Sequence, residues 1–139
     1  HGVFRRQRQM CIRDRDGASE VAAGKARDIA VRPVPGSGPV AVASRSHRDE
    51  ETDHWLAAHG IAETISTGSS MKFCLVAAGE ADVYPRFGPT MEWDTAAGDA
   101  VLRAAGGRMI TPDGAPYLYG KPDYRSTAFI ACGGFMPAN

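Results

Sequence analysis

The chain has 139 residues, of which 43% are hydrophobic and 23% charged, and these values are typical of one globular domain with a packed core. Its 16 lysine and arginine residues balance 16 aspartate and glutamate residues, so the formal net charge is zero and a general nucleic-acid-binding protein is disfavoured. Because no apolar run is long enough to span a membrane and no signal-peptide pattern occurs, we expect neither feature in this sequence.

The three cysteines, Cys11, Cys74 and Cys132, show neither the spacing of a metal site nor that of a redox motif. Cys74 and Cys132 lie in apolar segments, so we expect them to be small buried hydrophobic residues. This cysteine usage favours a reducing, cytoplasmic compartment, in which the protein is either free or loosely associated with the inner face of the membrane.

Residues 1–16 differ from the rest of the chain, since they contain a run of charged residues with almost no apolar periodicity. Such a run is typical either of a basic arm for an anionic partner or of a disordered end. We favour a third interpretation, because the segment resembles translated adaptor sequence of the kind found in assembled environmental reads. The predicted organisation is therefore a non-native or disordered segment at 1–16, followed by a domain at 17–139.

In the first half of the domain the pattern predicts strands that alternate with loops and a helix. The helix has candidate N-cap residues at 46–49 and ends at Gly60. The strand at 40–44 is apolar throughout, which predicts a buried position. The predicted elements, in order, are a short edge strand at 29–34, a loop at 35–39, a buried strand at 40–44, an amphipathic helix at 50–59 and another strand at 61–66.

The second half begins with a helix at 71–81 that is apolar nearly all round, and such a helix is buried. A strand at 82–86 precedes a helix rich in alanine, for which Asp94 and Thr95 are good N-cap residues and Gly106–Gly107 a C-terminal stop. A strand, a turn and a last strand follow, at 108–110, 112–114 and 128–132. Because strands and helices alternate, the sequence predicts an α/β domain with a largely buried sheet.

Lys72 is a candidate for anion binding because it falls in the first turn of the buried helix. A cation at this end of a helix is unfavourable by a few tenths to about 1 kcal/mol, and a bound anion would reverse the sign. Residues 68–70, Gly-Ser-Ser, add backbone N–H groups and hydroxyls that suit phosphate. The alternative is an exposed lysine whose aliphatic stem covers apolar surface.

Other polar side chains allow both a functional and a structural interpretation. Arg86 ends a strand and offers a planar fork for phosphate, although a surface ion pair would also explain it. His47 follows a strand end, where a lone histidine is more often structural. Tyr117 and Tyr119 could stack a base, but packing between strands explains them equally well.

Four blocks of sequence, in this order, resemble the inositol monophosphatase-like metal-dependent phosphatases, and in particular their 3′(2′),5′-bisphosphate nucleotidase branch. The blocks are SRSH at 44–47, GSSMKFCL at 68–75, YPRFG at 84–88 and WDTAAG at 93–98, the last followed by Gly106–Gly107. The resemblance covers about residues 40–135. It implies the C-terminal α/β domain of that sugar phosphatase fold, with a mixed sheet flanked by helices.

The resemblance implies a Mg²⁺-dependent phosphomonoesterase, in which metal-bound water removes the 3′-phosphate of adenosine 3′,5′-bisphosphate, a by-product of sulfate assimilation. Asp94 would be a metal ligand at the substrate site. Ser69 and Lys72 would lie at the phosphate or ribose of the nucleotide, Arg86 in the substrate pocket and His47 in contact with the nucleotide. The expected partner is this small phosphorylated nucleotide, not a nucleic-acid polymer.

The family's other metal ligands come from a Glu-Glu segment and an Asp-Pro-(Leu/Ile)-Asp-Gly-Thr segment upstream of these blocks, and neither precedes the blocks here. We therefore expect the C-terminal half of the enzyme, with no complete catalytic set and no activity alone. The alternatives are an inositol or fructose phosphate phosphatase of the same superfamily and a non-catalytic anion-binding module. The blocks at 44–47 and 84–88 favour the nucleotidase.

Overall fold

The computed structural model of the chain describes residues 10–14, 17–22, 25–44, 49–68 and 71–137. The elements within these ranges are, in order, β1 (Met10–Asp14), β2 (Gly17–Ala22), β3 (Lys25–Ile29), β4 (Val40–Ser44), α1 (Glu50–Ala58), β5 (Glu63–Thr67), α2 (Met71–Ala77), β6 (Val83–Arg86), β7 (Thr90–Met91), α3 (Glu92–Ala104), β8 (Arg108–Ile110), a 3₁₀ turn (Pro122–Tyr124), β9 (Arg125–Ser126) and β10 (Phe129–Cys132). Across the described part of the chain, no helix is both long enough and apolar enough to cross a membrane.

The central sheet has five strands in the order β5-β4-β6-β10-β8. Strand β4 pairs in parallel with β5 and β6, whereas β10 runs antiparallel to β6 and β8. Strands β1, β2 and β3 form a separate antiparallel sheet, and β7 pairs with β9. The predicted α/β domain with a mixed sheet is therefore confirmed.

Helices cover both faces of the central sheet because its strands carry apolar side chains on both. On one face, Trp55 and Leu56 of α1 share a cluster with Ala41, Val83 and Ile130. On the other face, α2 packs on β4, β6 and β10, and α3 packs between α2 and strands β1 and β2. The order of layers is thus helix, five-stranded sheet, helix pair and three-stranded sheet, an arrangement with both sheet faces of the central layer buried.

Helices α2 and α3 approach closely because α3 presents a glycine to an aromatic ring. A Cβ placed on Gly98 would lie 2.4 Å from Cδ2 of Phe73 and 2.9 Å from its Cβ. The Phe73 ring in turn stacks on Phe129 and meets Tyr84 edge to face, so it has little freedom to move aside. The small residues of this helix, noted in the sequence, therefore allow the contact.

Replacing Gly98 with alanine should destabilise the chain, because an added methyl group overpacks the contact with Phe73. We expect the free energy of unfolding in urea to fall by about 1–3 kcal/mol, although alanine is the better helix former. Gly36→Ala is the matched control, since a Cβ on Gly36 meets no atom within 4 Å. An unchanged or raised midpoint for Gly98→Ala would contradict this description of the interface.

Several predicted elements are confirmed within one or two residues of their observed ends. Strands β4 and β8 have the predicted bounds, and α1 ends at Ala58, one residue before the predicted end. Asp49 caps α1 by accepting a hydrogen bond from the Thr52 N–H at 2.9 Å, and Gly60 follows the helix with a φ of 67°. Helix α2, by contrast, ends at Ala77 rather than at 81, shortly before Gly79, whose φ is 75°.

The N-cap predicted for α3 is wrong, since the helix begins at Glu92 and its N-cap is Met91. Asp94 lies in the first turn instead, where its Oδ2 accepts a hydrogen bond from the Met91 N–H at 3.3 Å. The Asp94 carboxylate therefore caps the N-terminus of α3 from within its first turn. The predicted stop is confirmed, because Gly106 has a φ of 94° and the Gly107 N–H donates to the Leu102 carbonyl at 2.9 Å.

The edge strand predicted at 29–34 is also wrong, because β3 ends at the first residue of that range. The chain beyond it bonds to other elements and not to a neighbouring strand. The Val31 N–H donates to the Ala105 carbonyl at 3.0 Å, and Arg32 forms a bidentate salt bridge with the buried Asp82. Strands β2 and β3, which the sequence did not predict, precede this connection.

Strand β1 lies within the segment that the sequence sets apart, and it pairs with β2 in antiparallel register. The foreign origin of residues 1–16 stays a prediction. Cys132 is buried as predicted, whereas Cys74 is only partly buried, at a position where its thiol meets that of the partly exposed Cys11.

Candidate functional site

A cavity of about 620 Å³ opens where the three parallel strands end, and this is a volume typical of small-molecule sites. Ser44 is the last residue of β4, Arg86 the last of β6, and Gly68 follows β5 directly. Because the carboxyl ends of parallel strands meet at one edge of a sheet, this is also the usual place for a ligand in an α/β fold. The remaining wall comes from α2 and from the first half of α3.

Lys72, the second residue of α2, lines this cavity with a side chain that is largely removed from solvent. Its exposed fraction is 5%, and its Nζ lies 5.4 Å from the centre of the Tyr84 ring. Burial lowers the pKa of the Lys72 ammonium below its usual value, and the charge of Arg86 lowers it further. The alternative of an exposed lysine is therefore wrong, and the ammonium adds a positive charge to the cavity.

Arg86 brings a second cation to the same cavity. Its Nη2 donates to the Pro89 carbonyl at 3.0 Å. Its Nε is buried and has no hydrogen-bond partner among the residues that the structure describes. Within the same part of the chain, Arg86 forms no salt bridge. A buried guanidinium N–H without a partner is costly, so this donor suits an anionic oxygen of a ligand.

Asp94 contributes a carboxylate to the cavity wall from the first turn of α3. Its Oδ2 accepts hydrogen bonds from Thr90 Oγ1 at 3.0 Å and from the Met91 N–H at 3.3 Å. Its Oδ1 forms no hydrogen bond to a described residue. The structure thus brings together Lys72, Arg86 and Asp94, three of the residues predicted for the site. The other two, His47 and Ser69, lie outside the described residues.

The described residues supply one oxygen ligand for Mg²⁺ and do not complete a site for it. Magnesium requires near-octahedral coordination by oxygen. No group of three or more His, Cys, Asp or Glu side chains within the described ranges could hold a metal ion. Glu92 is turned away to bond Gly120 and Lys121, and the adjacent Glu50 and Glu51 are exposed on α1. Among the residues that the structure describes, Asp94 therefore fits the role of one ligand.

The tyrosines considered for base stacking do not line the cavity. Tyr117 is 2% exposed and packs against Phe129, and its hydroxyl lies 2.6 Å from Ser126 Oγ. The hydroxyl of Tyr119 donates to Asp99 Oδ2 at 2.7 Å. Tyr117 is therefore a buried packing residue, whereas Tyr119 is 42% exposed, and neither side chain belongs to the wall of this cavity.

Sequence reasoning missed Thr90 and Trp93 as residues of the cavity wall. Trp93 belongs to the block at 93–98, but no role at the site was predicted for it. A core tryptophan would be buried, whereas Trp93 is 65% exposed and lines the cavity. Thr90 gave only a weak signal, a hydroxyl four residues before Asp94. Its hydrogen bond to that carboxylate depends on β7 leading directly into α3, which the sequence pattern does not indicate.

Comparison with known proteins is consistent with this geometry. Residues 25–134 match the model of the inositol monophosphatase family. The crystal structure of CysQ from Bacteroides thetaiotaomicron, a bacterial member of that family, superposes with a TM-score of 0.79 and 37% identity, covering 92% of this chain and 55% of that chain.

Two curated relatives match a shorter part of the chain. The 3′(2′),5′-bisphosphate nucleotidase CysQ of Escherichia coli K12 is 54% identical over 81 residues, 58% of this chain and 33% of that protein. An uncharacterised protein from the pss 5′ region of Rhizobium leguminosarum is 58% identical over 86 residues, 58% of this chain and 90% of that protein. The match thus spans about a third of the length of the E. coli nucleotidase. The chain belongs to the inositol monophosphatase family, within which it is similar to the CysQ proteins.

Proposed function

We propose that this chain is the nucleotide-binding part of a Mg²⁺-dependent 3′(2′),5′-bisphosphate nucleotidase, which converts adenosine 3′,5′-bisphosphate to AMP and phosphate in the cytoplasm. The observation that carries the proposal is the pair of cations in one cavity, the buried Lys72 and the buried Nε of Arg86, to which no described residue offers a hydrogen-bond acceptor. The names of the CysQ relatives support the choice of substrate.

The charges of the cavity favour a ligand with more than one negative charge. Lys72 and Arg86 carry like charges at one cavity, and burial together with the charge of Arg86 lowers the pKa of Lys72, so a bound phosphate would stabilise both cations. The Asp94 carboxylate of the cavity wall lies on α3, whereas Lys72 lies on α2 and Arg86 on β6. A phosphate held by the two cations would therefore have a carboxylate nearby that can hold a cation of its own.

The rest of the wall suits the nucleoside. Phe73, Tyr84, Phe129 and Trp93 line the cavity together with the charged groups. Apolar and aromatic walls with a few polar groups are typical of small-molecule sites, where the apolar part buries the ligand and the polar groups orient it. A nucleotide has both parts, whereas an inositol or fructose phosphate offers hydroxyls in place of a base. Trp93, the exposed aromatic side chain of this wall, therefore favours the nucleotide.

In this proposal the chain binds and orients the substrate. Lys72 and Arg86 donate to phosphate oxygens and neutralise their charge, and Thr90 fixes the Asp94 carboxylate, which lines the same cavity. We assign Asp94 as one oxygen ligand of the Mg²⁺ that the family uses, and the remaining ligands to sequence outside the described residues. Water activation is consequently not a task of the residues described here.

Asp94→Asn tests this assignment in a protein completed with the N-terminal half of a CysQ relative. The change removes the ligand charge and keeps the shape of the side chain, so we expect turnover to fall and the Mg²⁺ requirement to rise. Each effect should be at least about tenfold, the lower end of what the loss of an outer-shell partner of a metal costs.

The measurement is a steady-state Mg²⁺ titration with adenosine 3′,5′-bisphosphate. Asp113→Asn serves as the control, because Asp113 is exposed in the turn after β8 and lies outside the cavity. Asp113→Asn should leave the magnesium dependence unchanged. If Asp94→Asn also left it unchanged, Asp94 would not be a metal ligand.

A further inference from the structure

Residues 117–126, here named the brace, lie against α3 and end in strand β9. The brace is attached to the start of α3 through Glu92 and to its middle through Asp99. Its own two ends are tied together by the contact of 2.6 Å between Tyr117 Oη and Ser126 Oγ. It is therefore a closed loop that is fixed to one helix at separate points.

Glu92 makes the most extensive of these attachments. It is the first residue of α3, and its side chain is buried. One carboxylate oxygen accepts the Gly120 N–H at 3.0 Å, and the other accepts the Lys121 N–H at 3.0 Å. The Lys121 ammonium adds a salt bridge at 2.9 Å. A charged acceptor that satisfies two backbone donors and one ammonium fixes both the loop and the helix turn from which it projects.

The middle of α3 carries a second attachment, independent of the first. Asp99 accepts the Tyr119 hydroxyl through Oδ2 at 2.7 Å and Arg103 Nε through Oδ1 at 2.8 Å. Asp99 is seven residues beyond Glu92, or about two turns of helix, so both carboxylates lie on one side of α3.

The brace also contains a strained backbone. Asp123 and Tyr124 have successive φ values of 55° and 54°, in the left-handed region that non-glycine residues rarely adopt. Such conformations persist where the surrounding contacts impose them. The attachments on both sides of these residues, at Lys121 and at strand β9, supply that constraint.

The far end of the brace reaches the cavity. Strand β9 pairs with β7, with Thr90 opposite Ser126 and Met91 opposite Arg125. Thr90 lines the cavity and donates to Asp94 Oδ2. Besides the contacts at Thr95, Asp99 and Arg103, the brace bonds to Glu92 and pairs with β7 at Thr90 and Met91, within four residues of Asp94. Residues 90–94 are here named the lip.

We propose that the brace holds the lip in place and that Glu92 is a positioning residue, which fixes the Asp94 carboxylate in the cavity without touching the ligand. The functional part of this inference rests on the proposed function, because it gives Asp94 its role. The positional part does not, since it follows from hydrogen bonds of the protein alone. A displacement of about 1 Å at such a group can cost a catalyst about 10²-fold in rate.

The positional part is tested on the 139-residue chain by NMR, with Glu92→Ala and with Glu92→Gln, which keeps the size of the side chain. The reporters are the Met91 amide, which donates to Asp94, and the indole N–H of Trp93, both in the lip. The Ala131 amide in the central sheet and the Trp55 indole report on the rest of the fold. Asp99→Asn is the matched control for Glu92→Gln, because it weakens the contacts to Tyr119 and Arg103 by the same loss of charge, away from the lip.

For Glu92→Ala we expect hydrogen exchange at Met91 to become at least about tenfold faster and the Trp93 indole signal to shift, while Ala131 and Trp55 stay unchanged. Glu92→Gln should change the same reporters by less, and it decides the matter if the alanine variant does not fold. Asp99→Asn should leave Met91 unchanged. Unaltered lip reporters in a folded Glu92 variant, or equal changes with Asp99→Asn, would overturn the proposal.

The functional part is tested in the protein completed with the N-terminal half of a CysQ relative. Glu92→Ala should lower kcat at least about fivefold and leave KM for adenosine 3′,5′-bisphosphate unchanged, because Lys72 and Arg86 still bind the nucleotide. A rise in KM with unchanged kcat would overturn this role. If the completed protein hydrolysed nothing, the proposed function would fail, while the NMR result would still decide the position of the lip.

Discussion

Incubated alone with Mg²⁺ and adenosine 3′,5′-bisphosphate, the 139-residue chain is expected to release no phosphate above the uncatalysed rate. The reason is the number of ligands, because a pair of metal ions that bridges a phosphate needs several carboxylates. Asp94 is the carboxylate that lines the cavity, and the nearby Glu92 is engaged by the brace. Phosphate release can be followed by a colorimetric assay over several hours.

Activity should appear when a separately expressed N-terminal half of a CysQ protein is added, because the proposal assigns the remaining metal ligands to that half. The same mixture with the Asp94→Asn chain is the matched control and should stay inactive or nearly so. Robust turnover by the chain alone would contradict the proposal that its residues supply only part of the metal site. Turnover by the N-terminal half alone would show that this chain is not needed.

Lys72→Ala and Arg86→Ala are each expected to weaken the binding of adenosine 3′,5′-bisphosphate by about 1.5–3 kcal/mol, or roughly tenfold to 150-fold. Both side chains offer charged donors, and Lys72 and the Nε of Arg86 are screened from solvent by the cavity walls. A simple sugar phosphate, which has one phosphate group, should lose less. Isothermal titration calorimetry with both ligands measures the difference.

Arg27→Ala is the control for the removal of a positive charge, because Arg27 lies on β3 with a side chain that is 60% exposed and pairs with Glu20. It should leave both affinities unchanged. Equal losses for the nucleotide and the sugar phosphate in the Lys72 and Arg86 variants would indicate that these residues stabilise the fold and do not distinguish the nucleotide.

Those parts of the fold that depend on local pattern could be predicted from the sequence. Strand β4 is a run of five apolar or small residues, and α1 is bounded by Asp49 and Gly60, each with a cap chemistry that acts within one turn. The start of α3 could not be predicted in this way. Its N-cap is Met91, which has no capping chemistry of its own, and Asp94 supplies the hydrogen bond from within the helix.

Elements that depend on distant partners were missed for a similar reason. Strand β2 consists mainly of small residues and β3 mainly of charged ones, and their pairing is supported by cross-strand contacts such as that between Glu20 and Arg27 at 2.6 Å. The segment after β3 resembles an edge strand in composition. It bonds instead to Ala105 and Asp82, which lie 74 and 50 positions away from Val31 and Arg32 respectively, and no local pattern indicates such contacts.

The candidate site shows the same division. Lys72, Arg86 and Asp94 were predicted because they occur within recognisable blocks, and the structure brings all three to one cavity. Glu92, two residues before Asp94, was not predicted to take part in the site. Its importance lies in bonds to residues 28 and 29 positions further along the chain, which depend on the course of the brace.

The most direct test of the proposed site is a crystal structure of the chain with adenosine 3′,5′-bisphosphate bound. We expect a phosphate oxygen within hydrogen-bonding distance of the Arg86 Nε and the Lys72 Nζ, and the base against the aromatic wall that includes Trp93. A nucleotide bound elsewhere on the surface, with the Arg86 Nε still without an anionic partner at saturating nucleotide, would contradict the assignment of this cavity.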